Sequence, residues 1–219
     1  MERSFFGDLT FRIARDGALS KIMMRPLQSP LPTLVVCDLD WTLWARPRFR
    51  NGPPWVSIDD GLGGIRASSG ETLRLYDGAR RALATLADLG VPVALASRTH
   101  RKRWALEWMQ LLRVDESRTL AAVVGSSPIV ITDGAKASHL REISKRAQVP
   151  FEDMLFFDDS YKDILHVEQL GCTAVHCPRS QGLTDEVFHE GLERHARRLP
   201  RHHRDEDPWS GRVHARRRA

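Results

Sequence analysis

The chain has 219 residues, 42% of them hydrophobic, and a formal net charge of +5; that is apolar material for one well-buried core, with no apolar run long enough to span a bilayer. Three cysteines, Cys37, Cys172 and Cys177, are too few and too odd in number for a disulfide framework and read as reduced core thiols of an intracellular, cytoplasmic protein. The charge is local: residues 194–219 hold nine Arg against Asp205, Glu206 and Asp207 and carry +6, which leaves −1 on residues 1–193.

Residues 1–30 form an N-terminal extension that mixes Arg with Glu2, Asp8 and Asp16. That pattern argues against a secretory signal and weakens, without closing, the case for an organelle leader. From Thr33 onward short apolar runs alternate with longer amphipathic ones, the pattern of βα units that build a parallel sheet. "TLVVC" is the first strand and ends at Asp38, with Asp40 two positions on and Thr42 after it. Residues 45–76 carry five glycines and three prolines, too many turn formers for a helix, and a connection of that length is expected to be a binding loop or lid.

"DGARRALATLADLG" predicts a helix over 77–89 with Asp77 as its N-cap and Leu89 on its apolar stripe. "VPVALAS" is a buried strand that delivers Ser97 and Arg98 to its end. In "THRKRWALEWMQLL" the spacing of Trp104, Trp108, Met109, Leu111 and Leu112 predicts a helix whose aromatic face is core rather than a base-stacking platform. "LAAVVG" and "PIVIT" are both strand-like, and either suits the third strand between Leu120 and Thr132. A helix follows from Lys136, with His139 half exposed on it. "DMLFFDD" is the next buried strand and ends in Asp158 and Asp159. A helix, the strand "CTAVHC" and a last helix running into the tail complete the pattern; His176 and Cys177, adjacent on that strand, read as core rather than ligands. The architecture expected is a three-layer α/β/α Rossmann-like fold with a central, mainly parallel sheet, over residues 31–193. The segment 194–219, poor in apolar residues, reads as a solvated tail.

In an open parallel sheet, ligands bind beyond the C-terminal ends of the strands where strand order reverses. Asp38, Asp40, Ser97, Arg98, Asp158 and Asp159 all stand at such ends. Adjacent carboxylates repel unless a cation holds them, and an oxygen-only cage suits Mg2+ rather than Zn2+. An acidic cleft that takes a phosphoryl group also needs donors, and Ser97 and Lys136, the latter at a helix start, supply them.

The segments "DLDWT", "ASRT", "DGAK" and "FFDDSYKD" resemble, in order, the four motifs of the haloacid dehalogenase (HAD) superfamily of phosphohydrolases, over about Thr33 to Leu192. More narrowly, "DLDWTLW", "LYDGARRALATLADLGVPVALASRT", "FFDDSYKDI" and "LGCTAVHC" resemble its small, capless magnesium-dependent phosphatase-1 branch, which carries at most a small loop or hairpin insertion. The resemblance implies Asp38 as nucleophile and metal ligand, Asp40 as general acid and base with its carbonyl on the metal, and Asp159 completing the Mg2+ site. It further implies Ser97 and Lys136 on the phosphoryl oxygens, Arg98 toward substrate, and Asp158, Asp163 and Thr42 in support.

The function expected is Mg2+-dependent hydrolysis of a phosphomonoester, with a phosphorylated protein or a protein-bound or free sugar phosphate as substrate, and with no membrane partner. Two rivals remain at this level. One is glyceryl or phosphoryl transfer on a carrier protein, disfavoured because no glycine pair follows Trp44. The other is a non-catalytic nucleic-acid-binding protein using the Arg-rich tail, disfavoured by the intact set of acids.

Overall fold

A computed structural model of the chain describes residues 30–58 and 63–198. Strand β1 (Leu34–Cys37) is buried along its whole length, and each apolar side chain withdrawn from water there contributes about 1.5–3 kcal/mol. The following segment carries three short strands, β2 (Trp55–Ser57), β3 (Ile65–Ala67) and β4 (Thr72–Leu73), paired antiparallel in a small sheet of their own. Helix α1 (Asp77–Asp88) then leads to β5 (Val93–Ser97), and α2 (Lys102–Leu111) and α3 (Leu120–Val124) lead to β6 (Ile129–Ile131). The chain continues through α4 (Lys136–Ala147), β7 (Met154–Asp158), α5 (Tyr161–Glu168), β8 (Thr173–His176) and α6 (Asp185–Arg198).

The five long-range strands form one parallel sheet in the order β6-β5-β1-β7-β8. Strand alternation sends successive residues to opposite faces, and the two cores divide accordingly. Val35 and Cys37 pack with α1, α2, α3, α6 and the small sheet, whereas Leu34 and Val36 pack with α4 and α5. The chain runs from β1 outward through β5 to β6, then returns to β7 on the other side of β1. The order therefore reverses beside β1, and the crevice of such a fold opens at the C-terminal end of that strand. Glycine is required where α1 meets the segment before α6: a Cβ on Gly78 would stand 2.5 Å from the Leu183 carbonyl oxygen. Gly182, at φ +64°, lies against Tyr76, where a Cβ would be 2.1 Å from the ring.

Of the two candidates for the third strand, "PIVIT" enters the sheet and "LAAVV" is helical. Thr119 caps α3 by accepting the Ala122 N–H at 3.2 Å, and Leu120 and Val124, four residues apart, bury one face. Several other expectations change. Asp77 is the first helical residue of α1, the N-cap position falls to Tyr76, and Leu89 is 42% exposed just past the helix end. His139 is buried, 2% exposed, because α4 turns that face onto the sheet; its Nε2 meets Thr132 Oγ1 at 3.2 Å. His176 is exposed while Cys177 is buried, so only one of that pair is core. Helix α6 passes the expected boundary at 193 and ends at Arg198, with Arg194 bonded to Glu168 and Arg198 to the Cys172 carbonyl. The extension up to residue 29 and the tail from residue 199 lie outside the described residues. All three cysteines are buried free thiols, and burial pushes the Cys37 and Cys172 thiols up to about 12, so they stay protonated and inert. Among the described residues, no helix is long and apolar enough to cross a membrane.

Candidate active site

The turn after β1 sets the first two acids. The Leu39 carbonyl accepts from the amides of Thr42, Leu43 and Trp44, and Trp41 takes a left-handed backbone, φ 67°, to close the turn. A non-glycine residue in that region is strained and is held there only by its surroundings. The turn leaves Asp38 at the strand end, 5% exposed, and returns Asp40 toward the chain, where its Oδ1 accepts the Trp44 indole N–H at 2.9 Å. Thr42 is fully buried, and its hydroxyl meets no partner.

Lys136, the first residue of α4, is 1% exposed. Its ammonium donates to Asp38 Oδ1 and to the Ala96 carbonyl, the latter at 2.5 Å, and lies 3.0 Å from Asp158 Oδ2. Breaking a buried pair of this kind by removing one partner costs several kcal/mol. One ammonium thus faces two carboxylates, an excess of negative charge in a site nearly free of water. Burial pushes Asp38 up to about 7 against the pull of Lys136, and raises Asp158 as well. For Lys136, burial opposes the charge, but the two carboxylates outweigh it and hold its pKa above the usual lysine value.

Oxygens of Asp38, Asp158 and Asp159 lie within 4.8 Å of one another. A hard divalent cation suits such an oxygen set. Asp158 is the most committed of the three: its Oδ1 accepts the Ser160 amide at 2.7 Å and its Oδ2 faces Lys136. Asp159 Oδ2 accepts from Arg179 Nε at 2.6 Å, and Asp38 gives one oxygen to Lys136, so each keeps its other carboxylate oxygen off these cations. Ser97, 1% exposed, closes β5 directly after the carbonyl that Lys136 binds, and its Oγ accepts the Thr99 amide at 3.2 Å.

Arg98 and Asp163 meet each other instead of joining this cluster, through two bonds at 3.2 and 2.5 Å. Asp163, 4% exposed at the first turn of α5, therefore anchors the β5 end to α5. Trp44, which holds Asp40, and Arg179, which holds Asp159, went unread from sequence; the four-residue spacing of Asp40 and Trp44 is a detectable signal for the first, and none exists for the second.

The acid phosphatase family model matches residues 30–198. The chain is 34% identical over 173 residues to human magnesium-dependent phosphatase 1, covering 76% of this chain and 89% of that protein. It is 28% identical over 152 residues to a HAD-like hydrolase superfamily protein of Schizosaccharomyces pombe, covering 65% and 83% respectively. Among solved structures, a HAD-superfamily hydrolase from Ehrlichia chaffeensis aligns with a TM-score of 0.50 at 15% identity, over 78% of this chain and 98% of that one. The N-terminal part of a Bacteroides fragilis protein containing a phosphatase domain, complexed with Mg, also aligns with a TM-score of 0.50, at 21% identity over 76% of this chain and 41% of that one. The family match over residues 30–198, together with 34% identity to a phosphatase covered over 89% of its length, shows that the chain belongs to the acid phosphatase family of HAD-type phosphatases.

Proposed function

We propose that the chain hydrolyses phosphomonoesters with Mg2+ through an aspartyl-phosphate on Asp38. The observation that carries this reading is the buried Lys136 ammonium bonded to Asp38 beside the three-acid cluster. Asp38, Asp159 and the Asp40 carbonyl would hold the ion, which neutralises phosphoryl charge when bound.

The residues of the chain divide the remaining work. The Asp38 oxygen attacks phosphorus while the bond to the leaving oxygen breaks, and Asp40 transfers its proton to that oxygen. In the second half Asp40 takes a proton from the attacking water, the Asp38–phosphorus bond breaks, and inorganic phosphate leaves. Ser97 and Lys136 hold phosphoryl oxygens, and their burial strengthens each contact because little water competes. Lys136 also pulls against the burial that raises the Asp38 pKa and so favours its ionised, nucleophilic form. Trp44 fixes the Asp40 carboxylate by a hydrogen bond, as a positioning residue. The Arg98–Asp163 pair supports a structural part for both residues.

The insertion over 45–76 is a small sheet rather than a covering domain, which supports a site open to a phosphorylated protein or to a sugar phosphate, protein-bound or free. The test is hydrolysis of an aryl phosphate by purified full chain with Mg2+ and with chelator. Turnover that requires Mg2+ is expected; equal rates in both arms would refute the metal's part.

A further inference from the structure

Asp40 borders a cavity of about 440 Å3 on the β5 side of the site, opposite the acids at the end of β7. Its walls come from two segments that follow strand ends: Arg46, Arg48 and Phe49 after β1, and His100 and Arg101 after β5, over Trp108. A volume of this order, within the roughly 300–1,000 Å3 of small-molecule pockets, exceeds what a phosphoryl group needs. An acid that protonates the leaving oxygen must reach it directly, so the body of the leaving group lies where Asp40 faces open space. That space is this cavity.

The lining chemistry is cationic over an aromatic floor. Arg46 Nη2 lies 3.5 Å from His100 Nε2, and Arg101 rests 4.6 Å over the Trp104 ring while donating to the Phe49 carbonyl at 3.4 Å. Among the described residues none of Arg46, Arg48 and Arg101 is ion-paired to a carboxylate. Other arginines of this chain are so paired: Arg81 to Asp185, Arg98 to Asp163, Arg118 to Asp88, Arg179 to Asp159 and Arg194 to Glu168. Three arginines lining one cavity set up a positive field and offer planar donors to an incoming carboxylate or phosphate. The floor of Phe49 and Trp108 accepts the apolar part of the same group.

We propose that this cavity is the leaving-group subsite and that it selects phosphomonoesters whose leaving group carries a second anionic group. The inference rests on the assignment of Asp40 as general acid. A second carboxylate or phosphate reaches such a site either as an acidic side chain beside a phosphorylated residue or as the second anion of a small phosphate ester.

The experiment compares phenyl phosphate with carboxyphenyl phosphate, using full chain with Mg2+, in the wild type and in the double variant Arg46→Gln, Arg48→Gln. On the scale of a charge-assisted hydrogen bond, kcat/KM of the wild type is expected to favour the carboxylated ester by about tenfold or more, chiefly through KM. The double variant is expected to lose most of that preference, and Arg48→Lys to retain part of it. Absence of preference in the wild type, or an equal loss on both substrates in the variant, overturns the proposal, because the arginines would then act on the scissile phosphate alone. No hydrolysis of either ester by folded wild type would fail the catalytic reading itself, and the subsite with it. A phosphotyrosine peptide with acidic neighbours and a small bisphosphate, each against its singly charged counterpart, distinguish the two sources. Preference for either supports the subsite, and preference for neither refutes it.

Discussion

The charged end of the sheet and the aromatic cluster beneath the insertion lie close together and are both withdrawn from water, yet they are held by opposite physics. Around Lys136, the polar contacts join groups that would individually prefer water: the ammonium donates to Asp38 and to the Ala96 carbonyl and is ion-paired with Asp158. Around Trp108, the rings of Trp44, Phe49, Trp55 and Trp104 meet at centroid distances of 5.1 to 6.2 Å, mostly edge to face, with the Trp55 indole satisfied by Glu107. The first arrangement is costly to assemble and is retained for what it does to phosphate. The second is favourable in itself, since apolar area and ring geometry both stabilise it. The comparison teaches where tolerance lies: substitutions in the aromatic cluster change fold more than rate, whereas those at the charged end change rate, and change fold as well where they leave a buried charge unpaired.

The contrast breaks first at the nucleophile. Asp38→Asn keeps the volume and removes the attacking oxygen, so turnover of an aryl phosphate should fall at least about 10⁴-fold while the protein stays folded by circular dichroism. Asp40→Asn should lower kcat by about 10²–10⁴-fold, with the larger loss on esters of poorer leaving groups. A flat response to leaving-group pKa would refute its part as acid.

Lys136→Met tests whether the charged end is stable because of its cation. It leaves Asp38 and Asp158 facing each other unpaired, which should cost about 3–5 kcal/mol in chelator, read from urea denaturation, with partial recovery on adding Mg2+. Trp55→Ala tests the other region. It should cost about 3 kcal/mol, the lower end for a large aromatic because Trp55 is only half buried, and should leave the Mg2+ dependence of turnover in place.

The smallest effect sharpens the comparison through protons. The folded, metal-free protein holds the Asp38 proton up to about 7, whereas an ordinary carboxyl releases it at 3.8. The folded state then binds more protons across that window, so this group lowers stability as pH rises from 3.8 to about 7. Mg2+ binds the deprotonated form, so its affinity should rise by up to about tenfold per pH unit below neutrality and level off above it. Calorimetry in buffers of different ionisation enthalpy measures the released proton, and Asp38→Asn should abolish it.

Much of this was legible because strands and motif residues are local in sequence. The run "LVVC" is buried on both faces and has only one regular way to do so, and the order of Asp38, Ser97, Lys136 and Asp159 follows the strand ends. Segment "LAAVV" was not legible, since five apolar residues fit a strand or a helix equally, and the Thr119 cap with a buried Leu120 and Val124 decided it. The partners of Arg98 and Asp159 were not legible either: Asp163 lies 65 residues from the first, and Arg179 lies 20 from the second.

The sequence by itself determined the alternation of strands and helices, the acids at the strand ends and the resemblance that names their chemistry, because period, propensity and motif are carried by neighbours along the chain. Only the tertiary structure decided that Lys136 is buried between two carboxylates, that Arg98 is tied to Asp163, and that Arg46, Arg48 and Arg101 line one cavity with Asp40 with no ion pair to a carboxylate among the described residues. Those are relations between distant segments, and what fixes them is the packing of β1, β5 and β7 into one sheet, which sets the separation of charges that no spacing along the chain records.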